Sequence, residues 1–538
     1  VKTAPVIVQC YQQTAMKPTK EAIVLGRLAY GHNAADLERL GRAGLRRWLD
    51  EQLAPPVGDD PDTSKRLAEA KFKIEYPEEA GKWPKVNEDR PLSTLDADLK
   101  SLWHLRDWQK PMPYQERVRP RDEVNAATWI RALYSPYQLR EVMVGFWHDH
   151  FHVNALHDEV TIAVAWPHYD RIMRRHALGN FRAFLEDVAK SPAMLVYLNN
   201  RSSKASPANE NYARELFELH TLGKDAYLND LYNRWRDVPG ATKGEPVGYI
   251  DQDVYEAARA FTGWTLADGS WSGEGPLPST GEFMYHAAWH DPYQKRVLGR
   301  EFEANAPPMA DGMRVLDLVA DHPATAKHLA TKLVRKLVSD DPPAGLVNRA
   351  ADTWMRHRKS PDQIARVVRV IAESKEFAET WGKKTKRPFE FFVSFLRATG
   401  AEVKPDPGMI WLTFVMGERM FGWPTPDGPP DKGSAWLGTN AMLGRWNGAF
   451  WLASKDHPSS RHDWVAATPE SAATLGAAAE HWCNAMLPGT EKGAILASLR
   501  EAIGQWAPPE TPLDRSQGAD AIAGIAALVA LSPEFNLK

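Results

Sequence analysis

From Asn209 to His220 the chain reads Asn-Glu-Asn-Tyr-Ala-Arg-Glu-Leu-Phe-Glu-Leu-His. The run sets Glu210, Glu215 and Glu218 beside Asn209, Asn211, Arg214 and His220 within little more than three helical turns. Carboxylates next to an arginine and a histidine are the raw material of proton transfer. Burial raises a carboxyl pKa and a guanidinium lowers it, so two carboxyls in unlike surroundings become an acid and a base. At about 100° per residue, Asn209, Ala213, Leu216 and His220 share one face. Glu210, Arg214 and Glu218 form a second stripe, and Asn211 with Glu215 a third. An inward face must satisfy Asn209 and His220, because an unpaired buried polar group costs about 1–3 kcal/mol. The Glu–Arg–Glu stripe taken alone also fits exposed ion pairs worth about 0.3–0.5 kcal/mol apiece.

Upstream, Trp147-His148-Asp149-His150-Phe151-His152 offers a second cluster. Leu139, Val142, Met143, Phe146 and His150 fall on one helical face, with His148 pointing the opposite way. A single histidine in an apolar stripe is ordinarily a satisfied core residue. Two such helices, each with a carboxylate nearby, point to a shared pocket. His148, His150, His152, Glu210, Glu218, His220, His290 and Asp291 would supply nitrogen and oxygen ligands to a metal. Their spacing is not HExxH, however, and neither Cys10 nor Cys483 sits in a metal-type cluster. There is no GxSxG elbow, no GxGxxG and no GxxxxGK[ST], so neither a serine nucleophile nor a nucleotide is signalled.

Helices must carry these groups. Ser135-Pro136 and Ser206-Pro207 each read as an N-cap followed by proline, opening the two polar helices, and Gly223 closes the second. Helices are expected near 21–28, 34–40 and 45–53, then a charged excursion of helix and loop over 54–95. Residues 224–250 read as loop, and a short hairpin over 265–299 carries His286, His290 and Asp291. Residues 310–380 and 388–400 read as helical. Gly417–Pro430 is a Gly/Pro/Trp-rich loop placed beside the pocket, and helices near 434–455, 469–485, 490–504 and 517–531 follow. The fold class is mainly α, a large multi-helix core over 1–400 with a C-terminal helical lobe over 401–538 and minor β-hairpin content. Ile371–Phe377 echoes Val529–Phe535, which suggests similar helix ends rather than a repeat array.

Over 538 residues, 43% hydrophobic and 25% charged, the net charge is -3. No global field favours nucleic acid, and no apolar run is long enough to span a membrane. The two cysteines could form one long-range disulfide in an oxidising compartment. Val1 in place of an initiator Met fits a removed signal peptide and equally a shortened chain; of the two, an exported, periplasmic or extracellular protein is the expectation.

These motifs resemble the DUF1800 family, bacterial proteins of unknown function. The resemblance rests on Asn209 to Gly223 and on Trp147-His148-Asp149-His150-Phe151. Gly31-His32-Asn33, Arg175 to Phe181, Ala258 to Trp264, His290-Asp291 with Lys295, and Ser532 to Phe535 extend it. It implies export and no particular activity. Members often carry Asn where this chain has Asp149, which puts Glu210, Glu215 and Glu218 ahead of Asp149 as catalytic residues.

The expectation is a glycoside-hydrolase-like enzyme acting on a glycan or other extracellular polymer by carboxylate acid/base catalysis. Trp147 and Trp264 would stack on sugar rings. His148, His150, Asn209, Asn211, Arg214, His220, His290 and Asp291 would bind substrate or orient the acids. Carboxyls about 5–5.5 Å apart would retain configuration and about 6.5–9.5 Å would invert it. A metal-dependent His/Glu enzyme and a non-catalytic envelope scaffold are the alternatives.

Overall fold

The computed structural model describes residues 17–157, 160–490 and 492–538. Cys10 lies outside them, and so does any bridge from it; Cys483 is buried. Helices hold 55% of the chain, and the described strands form four two-stranded antiparallel sheets. One of these, Lys71–Tyr76 paired with Val86–Pro91, falls inside the 54–95 excursion. Its signal was the alternation Phe72, Ile74, Tyr76 between charged residues. Ile74 and Tyr76 bury against Val86 as a small satellite cluster.

The Gln138–His150 helix is buried on almost every side, including Arg140, Glu141 and His148. It packs on the Val160–His176 helix. It starts later than Pro136, because Ser135 closes the preceding Tyr114–Tyr134 helix and its Oγ accepts from Tyr137 N at 3.2 Å.

The second polar helix also starts late. Ser206-Pro207 does not open it; Asn211–Glu215 forms one α-helical segment behind Glu210 at the N-cap. Asn209 Oδ1 accepts from Asn211 N at 3.0 Å, and Asn209 N donates to Ser203 Oγ at 3.0 Å. Asn209 is thus a capping residue rather than part of a helical face. Beyond Glu215 the backbone widens into a π turn over Leu216–His220, so α-helical phasing fails across the motif. Gly223 follows at φ +87°, where a Cβ would lie 2.5 Å from His328 Nδ1.

One continuous apolar core runs from Ile23 to Phe535. The Pro388–Ala398 helix packs on Thr439–Ala453 and Leu475–Met486, and Lys538 Nζ reaches Glu390 at 2.6 Å. The helices after residue 400 therefore extend the same core. The two echoing segments are matching helix ends. Ser374 Oγ caps Phe377 N at 3.2 Å, Ser532 Oγ caps Phe535 N at 3.4 Å, and both phenylalanines are buried.

Candidate functional site

His148 and His150 leave the end of their helix in opposite directions, as α-helical phasing requires. His150 Nε2 lies 3.1 Å from the carbonyl oxygen of His220. A carbonyl only accepts, so Nε2 carries the proton and Nδ1 offers a lone pair. Lys332 Nζ donates to that Nδ1 at 2.9 Å. One helical turn before Lys332, His328 Nε2 donates to the Leu219 carbonyl at 3.1 Å. Two imidazoles thus satisfy carbonyls at the end of the π turn. Burial pushes the Lys332 ammonium down to about 8, partly offset by Asp149 and Asp431. Burial and then Lys332 also depress the imidazoles, His220 to about 3 and His150 well below its ordinary value. His220 is fully buried, its ring 5.3 Å from Phe151 and 6.1 Å from His150, and neither ring nitrogen has a partner.

On the other side, His148 Nε2 meets Asp170 Oδ1 at 3.1 Å. Arg174 Nε donates to Asp170 Oδ2 at 2.8 Å, and Arg174 Nη1 reaches Glu141 at 2.8 Å. Burial opposes ionisation of Asp170, but Arg174, His148 and Arg131 overcome it and hold the carboxyl far below the usual range. An ionised carboxylate only accepts, so a neutral His148 carries its proton on Nε2. Its Nδ1 is buried and without a partner. His148 lines an inner chamber of about 60 Å³ with Tyr30, Glu141, Arg387, Glu390 and Glu418. The Phe421 ring, on a backbone at φ +55°, covers it at 4.6 Å between centroids.

In front lies an open cleft of about 600 Å³. Asp149, His150, Lys332, Arg335 and Lys336 form one wall; Trp423 and Asp427 to Lys432 form the other. Chamber and cleft share Asp149, Lys336 and Pro429. The loop is held by His152 Nε2, 2.9 Å from the Trp423 carbonyl. It is also held by the close approach of Gly428 to the backbone of Asp149, where a Cβ would sit 2.2 Å from the carbonyl oxygen. Asp149 is ion-paired with Arg387, which also holds Glu418 at 2.6 Å.

The residues expected from sequence do not converge on one cleft. Glu210 pairs with Arg214 at 3.0 Å, and Arg214 reaches Asp251 at 3.5 Å. Asn209 and Glu210 border a separate surface depression with Lys204 and Ser206, and Asn211 is exposed. Glu218 pairs with Lys224 at 3.3 Å. Glu215 is half-buried, and burial with the Glu218 charge pushes its carboxyl up to about 7. His290 and Asp291 belong to another network: Asp291 grips Arg259 at 2.7 and 3.0 Å, and His290 Nε2 lies 3.4 Å from Asp311. Trp147 and Trp264 are fully buried and offer no ring face to a sugar; Trp147 donates to the Ala177 carbonyl at 2.9 Å. Trp423, half-buried in the cleft wall, has the exposure those two lack.

Asp170, Lys332, Arg335 and Arg387 were not anticipated. The signal for Lys332 was its spacing of four from His328 on the Pro323–Leu337 helix. Among the described residues no three of His, Cys, Asp and Glu lie together as a metal-ligating group. His148 and His150 face different partners, and the His220 ring nitrogens have none.

Fold and site define a mainly α-helical protein with an open, charge-lined cleft backed by a buried histidine–aspartate couple. The chain belongs to the family described as Protein of unknown function (DUF1800), which it matches over residues 23–537. No curated protein and no solved structure matches it.

Proposed function

We propose that the protein is an exported hydrolase that cleaves a glycan or a related extracellular polymer in the cleft between His150–Lys336 and the Trp423–Lys432 loop. The observation that carries this reading is the buried, unpartnered Nδ1 of His148, a residue that Asp170 orients and that lines the chamber behind the cleft. A water there would give its proton to Nδ1 and attack the scissile centre as hydroxide; the Asp170 carboxylate would stabilise the resulting imidazolium. Trp423 offers the apolar face that a sugar ring stacks on, and the His148 imidazolium would return the proton to the leaving group.

The test is hydrolysis of a panel of neutral and acidic polysaccharides, followed by the reducing ends released. At least one polymer should be cut, and His148→Gln should lower the rate by about 10²-fold or more. No cleavage across the panel, or a His148→Gln variant as active as the parent, overturns the reading. The scaffold alternative retains one specific support, the ion pairing of Glu210, Arg214 and Glu218 within their own surroundings. It predicts polymer binding without turnover.

A further inference from the structure

The charges lining the cleft do not cancel. Lys336 is matched by Glu390 at 2.9 Å and Asp431 by Lys384 at 2.9 Å. Lys432 lies 3.8 Å from Asp341, and Asp149 is held by Arg387. Once those pairs are set aside, Lys332, Arg335 and Asp427 remain. Asp427 is exposed at the lip, hydrogen-bonded by Thr425. Lys332 and Arg335 stand three residues apart on the Pro323–Leu337 helix, so both side chains leave the same face.

Neither cation has a carboxylate within ion-pairing distance among the described residues. The hydrogen-bond partner of Lys332 is the His150 lone pair, a neutral acceptor. Arg335 Nε is buried and has no partner. The other two cations of the cleft wall, Lys336 and Lys432, each have a carboxylate partner, so Lys332 and Arg335 are set apart by geometry and not by a general excess of basic residues. Asp149 and Asp431 act on Lys332 only from beyond pairing distance; a partly desolvated cation with no directly paired carboxylate is costly, and an incoming anion recovers that cost by completing the pair.

We infer that the Lys332–Arg335 face seats an anionic group of the ligand, so that the cleft takes an acidic polymer segment carrying carboxylate or sulfate. The inference rests on the cleft being the working site, and it names the substrate class that site would accept. The planar Arg335 guanidinium suits a two-oxygen anion, and Lys332 adds a point charge beside it. Trp423 on the opposite wall leaves an apolar surface for the ring that bears the anion. Asp427 at the lip repels acidic chains, so its removal has the opposite sign from removal of either cation.

Calorimetric titration at low salt tests this with four probes: a uronic-acid oligosaccharide, a sulfated oligosaccharide, a neutral oligosaccharide of the same length, and inorganic sulfate. At least one acidic oligosaccharide should bind about tenfold or more tighter than the neutral one, and should weaken as salt rises. The better acidic probe identifies the anion, and inorganic sulfate should compete with it. Lys332→Met and Arg335→Gln should each lose about tenfold or more in affinity while keeping the parent's circular dichroism spectrum, and Asp427→Asn should bind more tightly. The inference is overturned if neutral and acidic probes bind alike, if no anionic probe binds, or if both cation variants bind as the parent does. Cleavage of a neutral polymer without anion binding removes this inference alone. Binding of an acidic oligosaccharide without turnover of any polymer removes the hydrolase reading and leaves this one standing.

Discussion

Lys332 donates to His150 Nδ1 at 2.9 Å, and the direction of that bond is fixed by a third atom, the His220 carbonyl held by Nε2 of the same ring. The imidazole is therefore neutral, and the lysine keeps its charge against burial. With the ammonium pushed down to about 8 from an ordinary 10.5, the unfolded chain holds a proton between those values that the fold has released. Stability should rise with pH across that window. Urea unfolding at pH 7.5, 9 and 10.5 should show that rise in the parent and not in Lys332→Met. An unchanged slope in the variant would show that Lys332 titrates as an exposed lysine does.

Arg214 sits at the centre of the Asn209–His220 motif, yet its role is modest. It is half-exposed and pairs with Glu210 one turn away and more loosely with Asp251. Such pairs contribute about 0.2–1 kcal/mol. Arg214→Ala should lose no more than about 1 kcal/mol in urea unfolding at pH 7, and less at high salt. A much larger loss would mean that the polar run is the structural keystone the scaffold reading requires.

The fold class was legible because apolar periodicity and the stop at Gly223 are local signals that the packed structure keeps. The Gly417–Pro430 stretch was legible as a surface loop beside a pocket from its Gly, Pro and Trp content, and Trp423 and Asp427 to Pro430 line the cleft. The Asn209–His220 face was not. A straight α-helix was assumed, and the π turn rotates everything after Glu215. Such a turn depends on remote donors, His150 and His328, which no local window contains. The stacking role of Trp147 and Trp264 failed for a related reason: composition gives a tryptophan, and only packing decides whether its face is free. Asp170 was invisible because its meaning comes from Arg131, Arg174 and His148, which come from two other helices as well as its own.

Asp170 should be the costliest of the site carboxylates to remove. It is buried between Arg174, Arg131 and His148. Asp170→Asn removes the buried carboxylate that Arg174 and Arg131 share, leaving them Glu141 and Asp59, and should cost about 3–5 kcal/mol at pH 7. The folded-state pKa is depressed, so this contribution is complete above the unfolded value near 4 and is lost as pH falls toward the folded one. The difference between parent and variant should thus shrink in unfolding curves taken below about pH 4. A constant difference down to pH 2 would contradict the assignment.

His220 poses the opposite case, a group the fold would be more stable without. Its ring is fully buried and neither nitrogen has a partner, so at least one N–H is desolvated with nothing to bond. Replacing it with an apolar side chain of similar volume removes that penalty, and His220→Leu should gain about 1–3 kcal/mol at pH 7. The His220 carbonyl that orients His150 belongs to the backbone and survives the substitution. The pH dependence gives a second readout. Burial, with Lys332 and His328, depresses the imidazole to about 3, so between there and its ordinary 6.5 the unfolded chain takes up a proton that the fold refuses. Stability falls with acidification across that window, and the variant should lose one proton from the slope, about 1.4 kcal/mol per pH unit. If His220→Leu is instead destabilised at pH 7, the ring is meeting a bound group that completes its hydrogen bonding, and His220 then belongs to the site's chemistry rather than to its core.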